Sequence, residues 1–167
     1  MLDKMRRSFC VVLVILASLW VSGVQGQSTA QTGSVTFTLG GYEVQGQLTN
    51  ATIHSNTVTM SMSVDYVANT TVGQVSVTGS GEWYGEVNGT SLSGIIYNVK
   101  GAVRVCYVFF CGSANYIGYG TWAGTLSSQG QAGNGTFRGV IIFTSSDVPR
   151  IPLNQPIPIS GTWNATF

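Results

Sequence analysis

Apolar and polar side chains alternate along much of the chain. Val35, Phe37 and Leu39 are separated by Thr36 and Thr38, and Val58, Met60, Met62, Val64 and Tyr66 by Thr59, Ser61, Ser63 and Asp65; Val75 and Val77 continue the pattern. A period of two sends successive side chains to opposite faces, so these segments are expected to be strands with one face in a core. Residues 103–110 and 140–143 are instead nearly continuous apolar runs, which suits strands covered on both faces.

Turn signals break the pattern at short intervals. Gly40-Gly41 follows the first strand, and Asn88-Gly89 and Asn134-Gly135 are residue pairs that favour a two-residue hairpin turn, where both positions need positive φ. Residues 127–133 form a polar loop. Pro149, Pro152, Pro156 and Pro158 cluster before the last segment; each lacks a ladder donor, so this stretch is expected at an edge or in a crossover rather than in a central strand. Straight-chain helix formers are scarce throughout. The expectation is one all-β domain of about eight or nine antiparallel strands, a β-sandwich of immunoglobulin-like or jelly-roll-like kind, with a closed β-barrel as the alternative.

One phrase recurs at irregular spacing: Gly81-Glu82-Trp83-Tyr84-Gly85, Gly120-Thr121-Trp122-Ala123-Gly124, Gly135-Thr136-Phe137-Arg138-Gly139 and Gly161-Thr162-Trp163-Asn164-Ala165. In a strand the ring and the small residues two positions away share a face, so the small residues leave the ring room in a core layer. The competing reading is an outward row of aromatics, with Trp83, Tyr84, Trp122 and Trp163 as ligand contacts for a carbohydrate. The two Gly-Thr-Trp phrases resemble strands of avidin-type and lipocalin-type barrels; the likeness covers only those few residues and brings no ligand set with it.

The first 26 residues have the organisation of a secretory leader. Lys4, Arg6 and Arg7 precede an apolar run over residues 9–21, and Val24-Gln25-Gly26 has the form of a cleavage site. The run is shorter than the roughly 18–20 residues of a spanning helix, and Cys10 lies inside it rather than at its end. A signal peptide over 1–26 and a secreted, cell-surface domain over 27–167 are expected, with an uncleaved N-terminal anchor as the alternative. No later segment is long and apolar enough for a transmembrane helix.

Removing that leader changes the charge picture. Four bases remain, Lys100, Arg104, Arg138 and Arg150, against the five acids Glu43, Asp65, Glu82, Glu86 and Asp147. So few cations cannot make the field that phosphate backbones require, which excludes nucleic acid as a partner. Two cysteines remain, Cys106 and Cys111; an even pair in an exported chain reads as a disulfide, and the spacing suits a bridge across a bend or short hairpin. Two sulfurs without further ligands cannot close a zinc site.

Five N-x-Thr triplets make Asn50, Asn69, Asn88, Asn134 and Asn164 candidate N-glycosylation sites. Sugar there would supply hydration that the sparse charges do not.

Catalytic constellations are poor. Glu82 and Glu86 lie about 13 Å apart along a strand, beyond the roughly 5–9.5 Å used in glycoside hydrolysis. His54 is the single histidine and sits in a polar stretch without a nucleophile elbow. Lys100, the single lysine after the leader, sits among apolar neighbours; an isopeptide staple is its functional reading and an exposed strand lysine its ordinary one. No catalytic residue, metal or cofactor is expected.

These features suggest a non-enzymatic structural or interaction protein, a glycosylated filament or coat subunit that associates with itself or with other surface proteins. Residues 27–39 are the candidate exchange strand for assembly by strand addition. The alternatives are a carbohydrate- or ligand-binding module and a small outer-membrane barrel, the latter suggested by the terminal Phe167.

Overall fold

The computed structural model describes residues 31–71 and 73–167; the expected leader lies outside them. Eight strands follow in chain order: β1 (Gln31–Leu39), β2 (Tyr42–His54), β3 (Thr57–Thr70), β4 (Gly73–Asn88), β5 (Ser91–Tyr107), β6 (Phe110–Leu126), β7 (Ala132–Ser146) and β8 (Pro156–Thr166). Each pairs antiparallel with the next, and β1 also pairs with β8, so the sheet closes into an up-and-down barrel. The sandwich expectation is corrected here: the strands never divide into two sheets, because Gly33 to Phe37 of β1 pair with Ala165 to Gly161 of β8. Strand count and alternation are common to both architectures, and closure is what separates them.

Because consecutive strands run in opposite directions, the connections alternate between two ends. One end carries the Gly40-Gly41 turn, the β5–β6 turn at Val108-Phe109 and the loop at 147–155; the other carries Ser55-Asn56, Gly89-Thr90 and the loop at 127–131. Gly40 and Gly41 have φ of 58° and 87°, the paired positive values of a two-residue hairpin that glycine adopts without steric cost. At Asn88-Gly89 only the glycine is left-handed, with φ 63°. Asn134-Gly135 is not a turn: both residues lie inside β7, paired with β6 and β8.

The alternating residues turn inward as expected. Val35, Val44, Leu48, Val58, Met60 and Val64 are buried. All four rings of the recurring phrase, Trp83, Trp122, Phe137 and Trp163, are buried too, and they pack on one another with centroids 5.3–6.2 Å apart, most of them edge-on. The glycines that make room for a ring sit on neighbouring strands. Cross-strand register places Gly85, Gly94, Trp122, Phe137 and Gly161 at one level of the barrel. A Cβ on Gly161 would come within 2.7 Å of the Phe137 ring, and one on Gly124 within 2.6 Å of Trp163. Gly135 of the supposed turn belongs to this set, paired with Gly124 on one side and Trp163 on the other.

The rings' polar edges are mostly satisfied. Trp122 Nε1 donates to Tyr84 O and Trp163 Nε1 to Ala123 O, both at 3.3 Å. Trp83 Nε1 is buried and donates to no acceptor. A second cluster fills the Gly40-Gly41 end, with Val44, Val64, Val77, Val103, Ala114, Tyr116, Ile141 and Phe143.

Tyr116 lies along the inner wall over Gly101 of β5 and donates from its hydroxyl to Thr78 O of β4 at 3.1 Å, and burial pushes its pKa up to about 12. The folded state therefore holds this proton more tightly than the unfolded chain, whose tyrosine titrates near 10. Its contribution is complete below pH 10 and is lost as pH rises from about 10 to about 12, a fall of about 2–3 kcal/mol. Urea midpoints at about pH 9 and about pH 11.5 should show that fall in the native chain and a smaller one in Tyr116→Phe.

Pro156 and Pro158 pair with Ile142 and Val140 of β7, but the β1–β8 ladder begins only at Gly161. The proline-bearing half of β8 is thus a local edge, where a missing donor is tolerated.

Candidate functional site

The residues weighed as catalytic are dispersed over the outer surface. Glu82 and Glu86 both face out on β4, Asp65 on β3 and Glu43 on β2. Glu82 lies opposite Tyr97 of β5, and the hydrogen bond to its carboxylate raises the Tyr97 pKa. Asp65 pairs with Thr78, four residues away from Glu82 along β4, so the two carboxylates do not converge. His54 is exposed at the end of β2, and Lys100 is exposed on β5 between Ser80 and Ile117. Among the described residues no three His, Cys, Asp or Glu side chains gather as a metal site would require.

The four aromatics considered as ligand contacts separate by side of the wall. Trp83, Trp122 and Trp163 point inward and are at most 2% exposed, whereas Tyr84 faces out. Nor is the interior a ligand chamber: a cavity of about 40 Å³ lies against Phe37, Met62, Trp83, Ile96, Tyr116 and Phe137, far below the roughly 300–1,000 Å³ of small-molecule pockets.

Cys106 and Cys111 form a disulfide across the β5–β6 hairpin, where they are directly opposed. The apolar run at 103–110 is not covered on both faces as expected. Val103 turns inward, Arg104 outward, and the run ends in a bare tip: Val108 is 79% and Phe109 99% exposed, with Tyr107 and Phe110 half-exposed beside them. The tip lies between the two half-cystines, so the bridge fixes the strand ends from which it projects.

All five glycosylation candidates are exposed. Asn50, Asn88, Asn134 and Asn164 lie toward the Gly89-Thr90 end, and Asn69 toward the other. Asn50 sits with φ 52° in an irregular stretch of β2, and Asn134 and Asn164 are direct cross-strand partners. None lies on β5 or β6.

Those two acceptor-free strands bear the feature that sequence reading missed. Tyr84 on β4, Ile95 and Tyr97 on β5, and Ile117 and Tyr119 on β6 all face outward, with Ile95 51% and Tyr119 61% exposed. Tyr84 is paired directly with Ile95. A bulge at Tyr97-Asn98, where Asn98 takes φ 51°, turns both of these side chains outward. Val140 of β7 pairs with Tyr119 and extends the patch. Between these side chains the outer wall is shallow and open, bordered by Ile95, Tyr97, Tyr119 and Arg138. The paired glycines Gly120 and Gly139 lie on the inward face beneath it, Gly120 in register with buried Ile96. The signal was present in the sequence as Ile and Tyr at alternate positions in 95–97 and 117–119, but alternation alone does not say which set faces out.

Comparison with protein-family models, with curated proteins and with solved structures gave no match to this chain.

Proposed function

We propose that the chain is a non-enzymatic protein of the cell exterior whose work is association with further copies of itself through the outer face of β4 to β7. The observation that carries this reading is the contiguous exposure of Tyr84, Ile95, Tyr97, Ile117 and Tyr119 on three adjacent strands. At roughly 150–250 Å² for each fully buried aromatic, such a patch supplies a large part of the roughly 800 Å² per partner of a stable interface. The wall over β2 and β3 is polar by contrast, with Glu43, Gln45, Gln47, Thr59, Ser63 and Asp65 outward and Val67 the one large apolar exception. The placement of the five sugar acceptors supports the same reading, since glycan attached to them would leave β5 and β6 bare.

Other routes have less support. Assembly by strand addition would require β1 to leave two partners at once, and the locally unpaired half of β8 carries two prolines, which do not template a new strand. Carbohydrate stacking on the tryptophans is opposed by their burial. A membrane-spanning barrel needs an apolar outer belt and a polar lumen, and this barrel has an apolar interior and a polar wall over β2 and β3.

Sedimentation velocity of the purified protein tests the reading. Oligomers are expected to grow with concentration up to about 100 μM, where a micromolar contact is populated, and Tyr84→Lys/Ile117→Lys is expected to reduce them at unchanged circular dichroism. A native protein that stays monomeric throughout that range would overturn it.

A further inference from the structure

The turn between β5 and β6 carries the most exposed large apolar side chains among the described residues, Val108 at 79% and Phe109 at 99%. Its hairpin outreaches β7: the last residue of β6 paired there is Ala114, four short of Phe110. The turn is nevertheless held firmly. Cys106 and Cys111 are bridged behind it. The Tyr107 ring lies over Gly73 of β4, and the Phe110 ring lies over Gly112 beside Val148, each ring within 3.0 Å of where a Cβ on its glycine would stand. Two glycines thus let two rings fold back, and Val108 and Phe109 alone stand clear.

We propose that this tip is a membrane-surface anchor, which places Val108 and Phe109 in the boundary between the headgroups and acyl chains of a lipid bilayer. The proposal is independent of self-association through the outer wall. Shape favours lipid over a protein seat. A fully buried aromatic brings only roughly 150–250 Å², so a two-residue wedge falls well short of the roughly 800 Å² per partner of a stable protein interface. A bilayer closes around a convex wedge from every side and needs no complementary pocket.

The chemistry of the tip agrees. Residues 105–112 contain no charged side chain, and charge is what makes entry into a bilayer costly. Tyr107 at the base is of the type that settles at headgroup level. Residues 110–112 lie outside the β6–β7 ladder, and backbone groups without partners bar deep insertion. The contact is therefore limited to the roughly 5–10 Å of an interfacial anchor. Arg104 and Arg150 at this end are offset by Glu43 and Asp147, all four exposed, so no net field is directed at anionic headgroups and the contact is apolar. Four of the five glycosylation candidates lie at the opposite end; Asn69 lies level with Cys106, two strands away and behind the tip.

Flotation with phosphatidylcholine vesicles tests the anchor, on the chain beginning at Gln27, which holds all eight strands and both core clusters. The native protein should float with the vesicles, and to the same extent at about 50 mM and about 500 mM salt. Val108→Ser/Phe109→Ser should lower the partition coefficient about 10- to 100-fold. Both side chains stand in solvent, so circular dichroism should be unchanged. Tyr84→Lys/Ile117→Lys, altered on the wall instead, should float as the native protein does. Phe109→Trp adds a reporter at the tip: its extra emission over the native spectrum should move to shorter wavelength when vesicles are added. The proposal is overturned if the native protein stays with the solvent, if the serine variant floats equally well, or if the added tryptophan keeps its emission while the protein floats. Native protein that does not float, with oligomers lost in the serine variant, would assign the tip to a protein partner. None of these outcomes bears on the wall, whose test is the oligomeric state of Tyr84→Lys/Ile117→Lys.

Discussion

Trp122→Ala is expected to lower stability by about 3–5 kcal/mol, the range for truncating a buried ring in a packed interior. The ring touches Trp83 and Trp163, with centroids 5.8 and 5.3 Å away, so its removal leaves a cavity bounded by rings that are themselves held by their neighbours. Collapse is resisted by the barrel, whose strands on either side are fixed by ladders to the rest of the sheet. The loss also leaves Tyr84 O without the indole that donates to it. Equilibrium unfolding in urea, followed by circular dichroism, measures the difference. In a domain of this size each kcal/mol corresponds to about 2–4 °C, so the melting temperature should drop by about 6–20 °C. Trp122→Phe, which keeps most of the volume, should recover more than half of it. A loss below about 1 kcal/mol in Trp122→Ala would show that the ring cluster is not tightly packed.

The second large effect comes from adding atoms. Gly85→Val is expected to cost about 3 kcal/mol or more, at the upper end for overpacked interiors. A Cβ there would fall on Ser93 O and on the Trp122 ring. The first is backbone of the adjacent strand and cannot rotate away, and the second is wedged among other rings. Gly85→Ala should already be destabilising, which distinguishes this site from an exposed strand position, where a β-branched residue is favoured. Combined with Trp122→Ala, the valine should cost less than it does alone, because half of its clash has gone. A coupling of about 0.5–3 kcal/mol is the usual range for residues in contact. Strict additivity would mean that the carbonyl, not the ring, sets the requirement for glycine.

Alternation over residues 35–39 and 58–66 was enough to locate inward positions, whereas the recurring Gly-x-aromatic phrase left Trp83, Trp122 and Trp163 open between a core layer and an outward row, which only their burial decides. The partner glycine of each ring was not legible, because Gly85 and Gly94 meet Trp122 only through a cross-strand register that no local pattern encodes. Asn134-Gly135 was misread for the same reason. The dipeptide has turn chemistry, but its glycine faces Trp163 within a ladder, and packing outweighed local preference. The choice of barrel over sandwich depended on β1 meeting β8, two segments over a hundred residues apart in sequence. The spacing of Cys106 and Cys111 did foretell a hairpin. The apolar run at 103–110 was expected to be covered on both faces, but hydrophobicity reports what a side chain prefers and not whether the fold grants it.

The short β1–β8 ladder sets how this tube would breathe. It joins Gly33 to Phe37 with Gly161 to Ala165, while β4 and β5 are paired over nearly their whole lengths. Fluctuations that part the cylinder lengthwise should therefore start at this clasp, where the fewest bonds must open together. Once parted, the two lips differ: β1 presents a full set of donors, whereas β8 presents prolines over its first residues. A neighbour's strand could slip into such a slit only along the five-residue clasp itself, so reclosing within the same molecule is favoured over trading strands between molecules.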